Sequence, residues 1–120
     1  MKTLRLTADF GRSRYDLNRF VSLQSVYDRF EKTGRFDALR FNYEKGLRAY
    51  PHIFFDSDVA KWIEAVGYLA QKNGGYEEEQ KVIDALVRDM AAHQTKNGYL
   101  NSHFIQIEPE NIFQKRGEHE

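Results

Sequence analysis

Two apolar stripes of helical spacing set what this chain can become. Val59, Trp62, Ile63, Val66, Leu69 and Ala70 fall at i, i+3, i+4, i+7, i+10 and i+11, and Val82, Ile83, Leu86, Val87, Met90 and Ala91 repeat the pattern after Asn73-Gly74-Gly75. Such spacing lines one side of an α-helix with apolar side chains. The short glycine break makes the two helices antiparallel neighbours, a helical hairpin. Asp56, Ser57 or Asp58 is expected to cap the first helix, and Glu77, Glu78 and Glu79 favour the positive end of the second. Asn97-Gly98 is read as the stop beyond it. One hairpin cannot offset the entropy of ordering its own residues, so it needs partner helices.

An earlier stripe supplies one such partner. Leu17, Phe20, Leu23, Tyr27 and Phe30 recur at three and four residues, and Thr33-Gly34 ends the run. The spacings predict helices over 13–32, 58–72 and 77–95. Residues 1–10 alternate loosely through Leu4, Leu6, Ala8 and Phe10 and read as a short strand or extended lead-in. Residues 35–55 are aromatic and irregular, broken by Gly46 and Pro51, and read as a packed loop with about one helical turn. Beyond Gly98 the chain reads Tyr99-Leu100-Asn101-Ser102-His103-Phe104 and then a polar stretch, and its last residues, 114–120, show no apolar period. The expected class is all-α, with a short extended N-terminal segment.

Composition narrows the function. The 120 residues carry 18 basic and 18 acidic side chains, a formal net charge of zero, so no cationic excess exists to neutralise nucleic-acid phosphates or anionic lipid. No run of eighteen apolar residues occurs, so no membrane span is expected. The N-terminus has no apolar h-region, and a cytoplasmic setting is the simplest reading. Cysteine is absent, which removes disulfides, thiolate metal sites and a cysteine nucleophile from this chain. The length suits one domain or part of a larger one.

The polar candidates are few. His52, His93, His103 and His119 show no metal-ligand spacing, so no zinc site is expected from this chain. His93 falls in a last helical turn, where a cation favours the dipole. His52 follows Pro51 in the aromatic loop and reads as a surface residue. His103 reads as part of a polar turn with Asn101 and Ser102. His119 lies between Glu118 and Glu120, which orient a ring or raise its pKa. Asp56 and Asp58 stand two apart beside an aromatic loop; a carboxylate pair there suits acid–base work on a sugar, while helix capping is the plainer role. These residues point to a helical, neutral, aromatic-rich domain for a polar small molecule such as a sugar.

Several strings carry a resemblance. Phe55-Asp56-Ser57-Asp58-Val59-Ala60-Lys61-Trp62-Ile63-Glu64-Ala65, then Lys96-Asn97-Gly98-Tyr99-Leu100-Asn101, then Glu118-His119-Glu120, resemble the N-terminal part of glycoside hydrolase family 127, and Lys32-Thr33-Gly34-Arg35-Phe36-Asp37 matches a lead-in of that family. The resemblance implies a β-L-arabinofuranosidase-like enzyme that removes terminal arabinofuranose from glycans with retention of configuration. It implies antiparallel hairpins forming the first part of an (α/α)6 barrel, with residues 1–120 an N-terminal fragment of the catalytic domain that packs on the remainder of the same polypeptide. The family's zinc-bound cysteine nucleophile and its glutamates are then expected downstream, so no catalytic residue and no cofactor are expected in this chain. The resemblance implies that His119 contacts the sugar at the subsite of cleavage, and that Asp56 and Asp58 shape the site or cap the helix. Gly117-Glu118 varies from the family pattern before that histidine. A small helical interaction module, and another helical-barrel carbohydrate enzyme such as an unsaturated-glycuronyl hydrolase, are the alternative readings.

Overall fold

In the computed structural model, residues 9–47, 50–115 and 117 are described. They are helical, with no strand among the described residues. Helix α1 spans Asp9–Leu17 and α2 spans Leu23–Thr33, joined without a break by a π-helical turn at Asn18–Ser22. A short α3 follows at Arg35–Ala38. The long helices α4, Phe55–Asn73, and α5, Glu77–His93, are the two elements that the apolar stripes predict. A buried six-residue α6 at Ser102–Ile107 and a 3-10 turn at Pro109–Asn111 complete the described chain. No helix among these residues is long and apolar enough to cross a membrane.

The periodicities place the core. Leu23 and Phe30 from α2, Phe36 and Leu39 around α3, Val59, Trp62, Val66 and Leu69 from α4, and Ile83 and Leu86 from α5 form one buried cluster. At its centre the rings of Tyr27, Phe36 and Trp62 lie 5.2–5.6 Å apart in tilted and edge-on contacts, the arrangement that ring quadrupoles favour. Trp62 Nε1 is buried without a hydrogen-bond partner among the described residues, which costs about 1–3 kcal/mol.

Three departures from the sequence reading have physical causes. Leu17 belongs to the early stripe by spacing yet is 45% exposed. The π turn at Asn18–Ser22 inserts an extra residue into the helical register, so everything before it is rotated relative to α2. Asp9 and Phe10 are helical, which ends the extended lead-in before them; residues 1–8 lie outside the described residues. The residues after Leu100 form a helix and not a polar turn, because Asn101 caps α6 and Phe104 is fully buried on it.

Gly34 and Gly74 stop α2 and α4 as read, whereas α5 ends with Gln94 extended at its C-cap, before Asn97-Gly98. Gly34 takes φ 79°, the left-handed conformation that favours glycine, and its N–H closes the end of α2. The loop over 35–55 does hold one helical turn, α3. Helix α5 ends at His93, and its outer side stays open, with Val87 half exposed. The radius of gyration, 16.8 Å, exceeds the roughly 14 Å of a compact globule of this length. The molecule is accordingly elongated, 52 × 32 × 25 Å.

Candidate functional site

Three consecutive residues at the start of α6 hold the loop that leads into α4. Asn101 Nδ2 donates to the Ile53 carbonyl at 3.5 Å while its Oδ1 caps α6 by accepting from Phe104 N–H at 3.0 Å. The Ser102 backbone N–H donates to Asp56 at 2.6 Å, and the Ser102 hydroxyl donates to the other oxygen of the same carboxylate. His103 Nδ1 faces the Pro51 carbonyl oxygen at 2.7 Å, and its Nε2 faces Glu108 Oε1 at 3.0 Å. A carbonyl and a carboxylate can only accept, so both bonds form together when both ring nitrogens carry a proton.

The two carboxylates of this network sit in opposite electrostatic settings. Burial pushes the Asp56 carboxyl up, against the Ser102 bonds and the nearby His103, which pull it down. Hydrogen bonds from Asn111 and His103, with Lys115 alongside, hold Glu108 at about 2. Burial, helped by the charge of Asp56, also raises the Tyr99 hydroxyl.

The loop so held forms one wall of a cleft of about 520 Å³. Tyr50, His52 and Phe54 line it from the loop, Phe55, Asp58 and Lys61 from the first turns of α4, and Arg35 from α3. Arg35 is fixed on several sides. Its Nε donates to Asp58 at 2.8 Å and its Nη1 to the Thr33 hydroxyl at 2.7 Å. The rings of Phe30 and Phe55 lie 5.1 and 4.6 Å from the guanidinium carbon, within cation–π range. His52 Nδ1 accepts from the Phe54 N–H at 3.3 Å, so the neutral ring carries its proton on Nε2. Open rings with a few fixed polar groups are what a pocket for a small polar ligand needs.

The structure does not bring the candidate residues together. Asp56 and Asp58 diverge, the first onto α6 and the second onto Arg35. Neither caps α4: the N-cap position is Phe54 with no side-chain hydrogen bond, and Ser57 instead donates back to the Phe54 carbonyl at 3.1 Å. Both carboxylates still lie in the first turn, where the helix dipole favours them. His103 is not part of a polar turn but a buried helical residue with both nitrogens engaged. His93 ends α5 as expected; its Nδ1 meets the Asp89 carbonyl at 2.8 Å, and its ring stacks on Phe41 at 4.6 Å between centroids. His52 is exposed at the cleft. His119 lies outside the described residues.

Arg35, Tyr50, Ser102 and Glu108 were not singled out by the sequence, since each acquires its role from a partner distant in the chain or on another element. Among the described residues no group of three His, Asp or Glu side chains is placed to hold a metal ion, and the chain has no cysteine. The donors present do not fit a zinc ion.

Comparison with known proteins gives one match. The family model described as β-L-arabinofuranosidase, GH127 catalytic domain, matches residues 3–119. No curated protein and no solved structure matches the chain.

Proposed function

Because this chain belongs to the family of β-L-arabinofuranosidase GH127 catalytic domains, we propose that it is the N-terminal portion of a glycoside hydrolase releasing terminal β-L-arabinofuranose from glycans with retention of configuration. The observation that carries this reading is the family match across residues 3–119. The all-helical structure agrees with a family built as an (α/α)6 barrel. The elongated outline and the half-exposed Val87 support further helices packing on α5 from the remainder of the polypeptide.

In this proposal His119 contacts the sugar, and the chain's described part shapes the approach to it. Asp58 serves by fixing Arg35, and Asp56 by anchoring the loop to α6, which supports a shaping role for both carboxylates. The nucleophile and the family's zinc are assigned to sequence outside this chain, so no chemical step is routed through the residues described here. A cytoplasmic setting belongs to the same proposal, and no helix among the described residues is long and apolar enough to cross a membrane.

The test is hydrolysis of a β-L-arabinofuranoside by the complete polypeptide, with the anomer of the first-formed product followed by NMR. Release of the β-anomer of arabinose is expected. Activity confined to α-L-arabinofuranosides, or first release of the inverted anomer, would overturn the assignment.

A further inference from the structure

The cleft beside α4 offers donors far more than acceptors. Arg35 has five N–H groups, of which Asp58 and Thr33 take two. The other three have no partner among the described residues, although the side chain is only 22% exposed. The Nε2–H of His52 is likewise without a partner among the described residues, its Nδ1 being the acceptor for Phe54. Among the described residues the one carboxylate lining the cleft, Asp58, is already bonded to Arg35 at 2.8 Å. Lys61 lines the same wall. Beside these donors Tyr50 is 53% and Phe54 36% exposed, so their rings are open to the apolar C–H groups of a sugar.

A guanidinium held by two rings, a carboxylate and a hydroxyl loses little further freedom when it binds. Its planar fork matches a carboxylate better than it matches a hydroxyl, and the charge-assisted bond is about twice as strong. From this donor set we infer that the cleft binds the carboxylate of an acidic sugar residue, with Arg35 and His52 as its hydrogen-bond donors and Tyr50 and Phe54 against the ring. Lys61 adds positive field and is not needed as a direct contact. The inference rests on the glycan reading only for the sugar ring; the carboxylate preference follows from the donors alone. It gives the enzyme a preference for arabinofuranose carried on, or close to, uronate-bearing glycan.

Calorimetric titration of the full chain with galacturonate, galactose and acetate separates the possible ligands. Galacturonate is expected to bind at least about tenfold more tightly than either galactose or acetate. Arg35→Lys, which keeps the charge and loses the fork, is expected to remove most of that advantage with the circular dichroism unchanged. Should Arg35→Lys fail to fold, His52→Phe keeps a ring, removes one donor, and is expected to weaken galacturonate about threefold without affecting galactose. Equal affinity for galactose and galacturonate would overturn the carboxylate preference and leave the hydrolase assignment standing. Equal affinity for acetate would make the cleft a simple anion site, and no binding of any of the three would remove it as a ligand site. Either result overturns the inference. Hydrolysis of an arabinofuranoside is read separately, so loss of the family activity is not confused with loss of this preference.

Discussion

His103 fixes Pro51: its Nδ1 lies 2.7 Å from the Pro51 carbonyl oxygen, 52 residues earlier in the chain. Pro51 sits between Tyr50 and His52, both of which line the cleft. The buried ring therefore sets the height of that wall from behind, and Tyr50 packs edge-on against the same imidazole at 5.6 Å.

Replacing this ring has a definite expected cost. His103→Phe keeps an aromatic group in place and deletes both hydrogen bonds. Leaving the buried Pro51 carbonyl without a donor costs about 1–3 kcal/mol. The loss is read as a lower urea midpoint, monitored by the one tryptophan, Trp62, which is buried in the core. A variant as stable as the wild type would show that packing alone holds the loop.

The acid response follows from the two carboxylates of the same network. Glu108 is held at about 2, well below its ordinary 4.5. A carboxyl whose folded pKa is lowered contributes stability that is fully present above the unfolded value and is lost as pH falls from about 4.5 toward 2. Asp56 is raised by burial, and its sign is opposite. Its folded form binds a proton more readily than its unfolded form, so ionisation lowers stability as pH rises through the raised pKa. Glu108→Gln is expected to flatten the loss of stability between about pH 4.5 and 2. Asp56→Asn is expected to steepen the wild-type acid loss, because the compensating uptake of a proton is gone. Urea midpoints measured from pH 2 up through the raised Asp56 pKa decide both, the Glu108 effect below about 4.5 and the Asp56 effect above 3.8; identical slopes in all three proteins would contradict the network.

Core and rim should separate cleanly. Leu39 has no exposed surface, and Leu39→Ala is expected to cost about 2–5 kcal/mol. The Arg35–Asp58 pair is partly open to water, with side chains 22% and 30% exposed, so Asp58→Ala is expected to cost about 1 kcal/mol or less. Equal destabilisation by the two substitutions would mean that the ion pair is a structural anchor of the fold.

The long elements were legible because their signal is local. The buried positions Val59, Trp62, Val66 and Leu69 of α4 are the ones that the three-and-four spacing marks, and Gly34 stops α2 by a conformation that the residue itself favours. Helix α6 escaped notice because its six residues are too few to display a period, although Asn101 is a normal N-cap residue. The π turn at Asn18–Ser22 has no composition of its own, and it alone upset the reading of Leu17. The site was less legible still. Asp56 looks like a cap until Ser102, 46 residues away, supplies two donors. Arg35 carries no local signal, and Phe30, Phe55 and Asp58 converge on it only in the fold. Those relationships are made by tertiary packing, which no spacing records.

Our proposal is that this chain belongs to a β-L-arabinofuranosidase in which His119 meets the sugar. It is tested most directly by kcat/KM of the complete enzyme on one β-L-arabinofuranoside, for the wild type, His119→Ala and His93→Ala, each checked for folding. Losing a hydrogen bond to a sugar hydroxyl costs about 0.5–1.5 kcal/mol, or about 1.5–3 when charge-assisted, so His119→Ala is expected to fall roughly threefold to a hundredfold. His93, bonded to Asp89 and stacked on Phe41 at the end of α5, is expected to affect stability and leave kcat/KM nearly unchanged. No hydrolysis by the wild type, or unaltered kinetics for His119→Ala with a loss for His93→Ala, would contradict the account.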